Sequence, residues 1–278
     1  MSRGARPRLP VTEALDPRGR RLGEGLSPGR TLAILHTGHR DAVRAVGRAL
    51  PALARLAEAA ARSLAEGGRI VYVGAGTSGR LAALDAAECP PTFGVSPARV
   101  VAVVAGGARA LRRAVEGAED DAAAGAVALR RLRPGRRDLV LGISASGTTP
   151  FVLAALGEAR RAGARTGLLT SNPRARPPVH CRAVLATGPE MVAGSTRLKA
   201  GAAAKMALGL LSTAAFARLG AVRRGRLSAL SATSAKLRRR AVGTVAELGG
   251  VTPARARRAL QRAGWRVADA LAALPPAH

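Results

Sequence analysis

Between Arg69 and Gly94 the chain reads RIVYVGAGTSGRLAALDAAECPPTFG. The short apolar run Ile70 to Val73, rich in β-branched residues and bounded by glycines, reads as a buried strand. Gly74-Ala-Gly-Thr-Ser-Gly79 follows, a loop with almost no side-chain bulk. Leu81, Leu84 and Ala87 then recur at helical spacing. The helix is expected to stop at Cys89-Pro90-Pro91, because proline has no N–H and drives the residue before it out of the α region. A strand, a tight glycine loop and a helix in this order present free backbone N–H groups at a helix N-terminus, where an anion is stabilised. Thr77 and Ser78 add hydroxyl donors, and phosphate is the obvious ligand. A carboxylate, Glu88, lies at the far end of the same helix.

The rest of the chain repeats this alternation. Strand candidates are Arg69–Val73, Arg99–Val104, Asp138–Ile143, Arg165–Thr170 and Arg182–Ala186. Helical patterns lie near 79–88, 120–132, 150–162 and 197–218. Such alternation predicts a parallel sheet with helices on both faces, whose ligands bind beyond the C-terminal ends of the strands. Residues 1–29 lack periodicity, and the first ten read as a loose arm. Asp41 to Glu66 is helical in pattern, with Pro51 as a break or a first-turn residue. Ser228 to Ala246 can form one helix. Thr252-Pro253 is a good N-cap and N1 pair, opening a small two-helix unit.

Composition excludes several functions. The formal net charge is +28, which raises the question of nucleic acid. Of 45 Lys and Arg, however, only Lys199, Lys205 and Lys236 are lysine, a skew that reads as a coding bias, and 2% aromatics leave little to stack on bases. From Arg218 to His278, 13 basic residues stand against Glu247 and Asp269; a solvated face accounts for them. Gly74 to Gly79 also fits the dinucleotide pattern GxGxxG, but the next strand ends Val103-Val104-Ala105-Gly106-Gly107 without the carboxylate that a ribose needs. Two cysteines without framework spacing suit a reducing cytoplasm. No apolar h-region marks a signal peptide. The run Ala200–Leu219 is broken by Lys205 and Arg218 and reads as a packed helix.

Two further loops carry donors. Ser144-Ala-Ser-Gly-Thr-Thr-Pro150 follows a strand and precedes a helix, and Gly194-Ser-Thr-Arg-Leu-Lys-Ala-Gly201 sits where another helix begins. Any one such loop is ordinary turn and capping chemistry. Three after strands of one sheet favour a shared phosphate, held through charge-assisted hydrogen bonds. Among only 17 acids, two stand out. Glu88 is expected to end its helix, where the macrodipole disfavours an anion, and partial burial by the Pro-Pro turn would raise its pKa, which suits a general acid. Glu119, in Val115-Glu-Gly-Ala-Glu-Asp-Asp121, precedes an alanine-rich helix. It suits a general base, or is simply part of an acidic helix start; the residues alone leave this open.

GAGTSGRL followed by DAAECPPTFG closely resembles the N-acetylmuramic acid 6-phosphate etherases, whose usual form is DASECPPTFG, with Ala87 here in place of serine. Thr31–Leu35 resembles their TLEIL and Val11-Thr-Glu13 their start, so that the arm is expected to fold over a neighbouring site. Residues 144–150 resemble AASGRTP, with Ser144 for alanine and Thr148 for arginine. GSTRLKAG and VEGAEDD match family segments, Ala108 replaces the glutamate of AGGE, and the C-terminal unit resembles the family's helical segment. The resemblance implies an α/β fold: a SIS-type three-layer α/β/α sandwich with a parallel five-stranded sheet, plus a small C-terminal helical segment. It divides the chain into an arm and helix (1–50), the SIS phosphosugar-binding domain (51–222) and the helical segment (223–278). The implied activity is cleavage of the D-lactyl ether of N-acetylmuramic acid 6-phosphate to N-acetylglucosamine 6-phosphate and D-lactate. Glu88 and Glu119 would be catalytic. Gly76, Thr77, Ser78, Ser144, Ser146, Gly147, Thr148, Thr149, Ser195, Thr196 and Lys199 would bind substrate. No metal, cofactor, membrane or specific nucleic acid is implied, and a cytoplasmic homodimer is. The rivals are a phosphosugar sensor of the glucokinase-regulatory type, which needs the loops but not the acids, and a sugar-phosphate isomerase of the same fold, which would not call for ECPPTFG.

Overall fold

A computed structural model describes residues 11–274, so the first ten residues of the arm lie outside it. Five strands, β1 (Ile70–Gly74), β2 (Val100–Val104), β3 (Leu139–Ile143), β4 (Arg165–Thr170) and β5 (Cys181–Val184), form one parallel sheet in the order β2-β1-β3-β4-β5. Period-two alternation sends their side chains to two cores. Ile70, Tyr72, Leu139, Leu141 and Leu169 pack with helices α1 (Pro28–Ala65), α2 (Gly76–Phe93) and α5 (Lys199–Arg218). Val71, Val73, Val140 and Leu168 pack with α3 (Ala122–Arg131) and α4 (Pro150–Arg161). The expected three layers result. α5 is apolar and long enough to cross a membrane by composition and length alone, but it lies in the first core, packed against α1 and α2.

Three helix boundaries differ from expectation. α1 runs unbroken through Pro51. The bond lost is to the carbonyl of Gly47, and both residues are exposed, so water can take the proline's place. The division at 50/51 therefore falls within one helix. α2 continues through Pro90 and Pro91 to Phe93 and ends at Gly94, whose φ of 66° is left-handed and whose N–H bonds the Pro90 carbonyl at 2.9 Å. The prolines remove only last-turn donors, while Phe93 stacks on Phe216 with ring centroids 4.3 Å apart and holds the turn in place. Ser228 to Ala246 is not one helix. A hairpin of β6 (Val222–Arg223) and β7 (Arg226–Leu227) leads to α6 (Ala235–Gly249), which is capped by Ser234. The division at 222/223 thus lies within β6.

Thr252 caps α7 (Pro253–Arg262) as its sequence predicts, accepting the Arg255 N–H at 3.3 Å, and α8 (Val267–Ala272) follows. α6 to α8 share a core of their own around Leu230, Val245, Leu260 and Val267.

Candidate functional site

Register brings the loops together. Gly74 lies opposite Ile143, and Ile143 opposite Leu169, so the segments after β1, β3 and β4 leave the sheet at one level. From β1 the chain crosses to β2 on one side, while β3 lies on the other. The crevice between β1 and β3 is therefore the switch point where such sheets bind ligands. A cavity of about 360 Å³ occupies it. Gly76, Thr77, Ser78, Ser144, Ser146, Thr149, Thr196 and Glu119 all line it.

The first loop is tight because it has no room for side chains. A Cβ on Gly79 would sit 2.8 Å from the Gly74 carbonyl oxygen and 2.7 Å from Val104. α2 can therefore start directly on the strand end, and Gly79 N–H closes its first turn on the Ala75 carbonyl at 3.1 Å. Ala75, the N-cap, offers no side-chain acceptor. Among the described residues the N–H groups of Gly76, Thr77 and Ser78 have no acceptor. Three unsatisfied donors at the positive end of an 18-residue helix form an anion site.

The second loop is organised by Ser144, which is buried. Its Oγ accepts the Gly147 N–H at 2.9 Å and lies 2.7 Å from Thr149 Oγ1. The Asn172 side-chain amide donates to the Ser146 carbonyl at 2.8 Å and braces the loop from β4. Gly147, at φ 71°, shapes the turn but does not line the cavity. Thr148 is exposed and donates to Ser146 Oγ at 3.1 Å instead of lining the cavity.

The third loop departs most from expectation. The N-terminus of α5 is already occupied by Glu190, which is fully buried and accepts the Lys199 and Ala200 N–H groups at 3.0 and 2.9 Å. Burial raises the Glu190 pKa, and those two bonds oppose the rise. Lys199 is 2% exposed and points away from the cavity, with Nζ 3.0 Å from Asp16 and 3.1 Å from Asp41. It ties the N-terminal segment to α1. Arg18 bridges the same two acids, and its hydrogen bond is the main cause holding the Asp16 carboxyl well below the usual range. Thr196 reaches the cavity and Ser195 does not.

The acids separate. Asp121 is the structural one, capping α3 by accepting the Ala124 N–H at 2.7 Å. Glu119 lies before it, and its backbone carbonyl accepts the Phe151 N–H at 3.0 Å, which fixes it beside the start of α4 and on the cavity wall. Glu88 is not in this cavity. It is twelve residues along α2 from Gly76, roughly 18 Å at 1.5 Å per residue. It is also exposed and precedes the helix end, so neither the expected half-burial nor the expected terminal position holds.

Glu88 lines a second cavity of about 730 Å³ on the outer face of α1, α2 and α5, with Asp85, Lys205 and Ser212. Asp85 accepts from Tyr72 OH at 2.9 Å and Ser212 Oγ at 3.1 Å. Burial raises its pKa, and Glu88 adds to the rise. Cys89, buried beside Asp85, is pushed up to about 12 by the same burial.

Several residues of the site were not foreseen from sequence. Thr170 and Ser171 line the cavity directly after β4, where the strand-end rule would have found them. Glu13 lines it from the N-terminal segment, which folds over its own chain's cavity. The lining holds two carboxylates, Glu13 and Glu119, and no Lys or Arg among the described residues. The N-terminus of α2 and the hydroxyls therefore supply the positive potential. Among those residues no three His, Cys, Asp or Glu are grouped to hold a metal ion.

Known proteins resemble this chain at two levels. The family model of the glucokinase regulatory protein N-terminal SIS domain matches residues 52–160. An N-acetylmuramic acid 6-phosphate etherase of Deinococcus radiodurans is 47% identical over 251 residues, covering 90% of this chain and 82% of that protein. One of Cutibacterium acnes is 42% identical over 265 residues, covering 95% and 87%. Among solved structures, c3406 of E. coli CFT073 in complex with A5P superposes with a TM-score of 0.51 at 17% identity, covering 72% of this chain and 97% of that one. That likeness shows the SIS fold.

Proposed function

The chain belongs to the N-acetylmuramic acid 6-phosphate etherase family, and from that membership we infer that it is a carbon–oxygen lyase releasing D-lactate from N-acetylmuramic acid 6-phosphate to leave N-acetylglucosamine 6-phosphate. The observation that carries this reading is one cavity holding the free N–H groups of α2, the hydroxyls of Ser144, Ser146 and Thr149 and the Glu119 carboxylate. The phosphate sits on the donors. In the open-chain sugar the C2 hydrogen is α to the aldehyde, and Glu119 removes it as general base. The C3–O bond breaks, and lactate leaves with a proton from a second carboxyl. Water then adds at C3 of the unsaturated aldehyde and a proton returns to C2. No oxidant or reductant enters this balance.

The second carboxyl is Glu88 of the partner subunit in a homodimer. Two features support this. Glu88 lies too far along α2 to serve its own cavity. It also lies beside apolar side chains left exposed on α1 and α5, namely Val43 at 59%, Leu50 at 51% and Leu210 at 48%. A contiguous exposed patch of this kind marks an interaction surface. A cytoplasmic setting agrees with the two free cysteines.

The match to a glucokinase regulatory domain keeps the sensor reading in view. It spans 52–160 only, whereas the etherase identity runs over nine-tenths of the chain. Incubating the purified protein with N-acetylmuramic acid 6-phosphate and assaying D-lactate decides between the two. Binding without lactate would leave the sensor.

A further inference from the structure

A sugar phosphate makes two demands on this cavity. Its phosphate needs donors, which α2 and the hydroxyl loops supply. Its hydroxyl and acetamido N–H groups need acceptors, which those loops do not offer in strength. One carboxylate on the wall has no role in the chemistry described above. Glu13 lines the cavity and is half-buried, and among the described residues its carboxylate has no hydrogen-bond or ion-pair partner. A half-buried carboxylate on the cavity wall, with both lone-pair oxygens uncommitted to protein donors, is free to accept from a ligand.

Its position is fixed by its neighbours on both sides. The Glu13 carbonyl accepts the Gly194 N–H at 3.0 Å, the Ala14 carbonyl accepts the Glu190 N–H at 3.0 Å, and Asp16 N–H donates to the Glu190 carbonyl at 2.8 Å. Thr12 before it is fully buried. Asp16 after it is locked by Lys199. The segment is thus pinned to the loop that leads into α5, with the Glu13 side chain left over the cavity.

We propose that Glu13 is a specificity-determining residue of this site, whose carboxylate accepts hydrogen bonds from the hydroxyl or acetamido N–H groups of the sugar. The inference rests on the phosphosugar reading above and adds a role for the N-terminal segment. Negative charge at this wall also turns the phosphate towards α2 and the hydroxyls, so that one residue both selects the sugar and orients it.

The test compares wild type, Glu13→Ala and Glu13→Gln for calorimetric binding of N-acetylglucosamine 6-phosphate and of inorganic phosphate, with D-lactate release measured alongside. A hydrogen bond to a charged group is worth a factor of roughly ten to a hundred in affinity. Glu13→Ala should weaken the sugar phosphate by that factor and leave inorganic phosphate unchanged or tighter, which also reports an intact cavity. Glu13→Gln keeps a carbonyl acceptor and should recover most of the loss, with KM moving more than kcat. Equal effects of Glu13→Ala on both ligands, or none on either, would overturn the inference. Absence of lactate release by wild type would instead count against the etherase reading, and the two binding constants would still decide the role of Glu13.

Discussion

Lys199→Met separates a structural cation from a substrate ligand, the role that the GSTRLKAG resemblance gives it. The lysine is 2% exposed, and it faces two acids whose side chains are 7% and 22% exposed, at 3.0 and 3.1 Å. Removing one member of a buried ion pair costs about 3–5 kcal/mol, because the remaining charge stays desolvated. Arg18 still reaches both acids, but it is 45% exposed and screened by solvent. The cost should therefore fall at the lower end, about 3 kcal/mol, which for a chain of this size lowers Tm by roughly 6–12 °C. Urea denaturation and calorimetry measure this, and inorganic phosphate titration measures the anion site. Stability should fall while phosphate affinity stays within about twofold. The pH dependence carries a sign. The Asp16 carboxyl is held below its ordinary range chiefly by Arg18, with Lys199 contributing. Its stabilising effect is present above the unfolded carboxylate pKa of about 3.9 and is lost as pH falls through the lower folded value. Wild type and variant should therefore converge in stability as pH drops below about 4. A variant of undiminished stability that bound phosphate tenfold or more weakly would refute the ion-pair assignment and make Lys199 an anion ligand.

How much of this was legible in the sequence follows from which interactions are local. Strand periodicity, glycine loops and helix caps are set within a few residues, so the β1 to α2 unit, the 144–149 loop and the Thr252 cap could be read directly. The placing of Arg165–Thr170 as a strand also leads straight to Thr170 and Ser171. The contacts of Lys199 were not legible because its partners, Asp16 and Asp41, lie more than 150 residues away, and no local pattern distinguishes a lysine aimed at a phosphate from one aimed at a distant pair of acids. The Glu190 cap is a tertiary fact of the same kind. The Pro-Pro stop failed because propensity was weighed without the Phe93–Phe216 contact that holds the last turn. Glu88 is the instructive case. Helix rise alone sets its Cα roughly 18 Å from the phosphate loop, so Glu88 can share a site with Glu119 only if it comes from another subunit.

Gly79→Ala gains about 1 kcal/mol of helix propensity but drives a Cβ to 2.8 Å from the Gly74 carbonyl oxygen. Overpacking against backbone costs about 1–3 kcal/mol, so net destabilisation and weaker phosphosugar binding are expected; a more stable variant with intact affinity would contradict the tight-loop argument. Asp85 has a pKa raised by burial, so the folded state binds its proton more tightly than the unfolded one and stability falls as pH rises through that value. Asp85→Asn should remove this slope in urea denaturation above the unfolded carboxylate pKa of about 3.9, and an unchanged slope would show that the carboxyl is not the group responsible. The last prediction tests the shared site. Glu88→Gln and Glu119→Gln should each lower turnover by roughly 10²–10⁴-fold while leaving the α2 donors in place. When the two inactive proteins are mixed and allowed to exchange subunits at random, half of the dimers pair one variant with the other. Each such dimer has one site made of Glu119 from the first subunit and Glu88 from the second, and one site lacking both. If Glu88 acts across the interface, the mixture should regain about a quarter of wild-type activity by this counting of a two-fold assembly. If Glu88 acts within its own chain, every site still lacks one acid and no activity returns. Failure to recover activity, with exchange verified by mass labels, would remove Glu88 of the partner subunit from the mechanism.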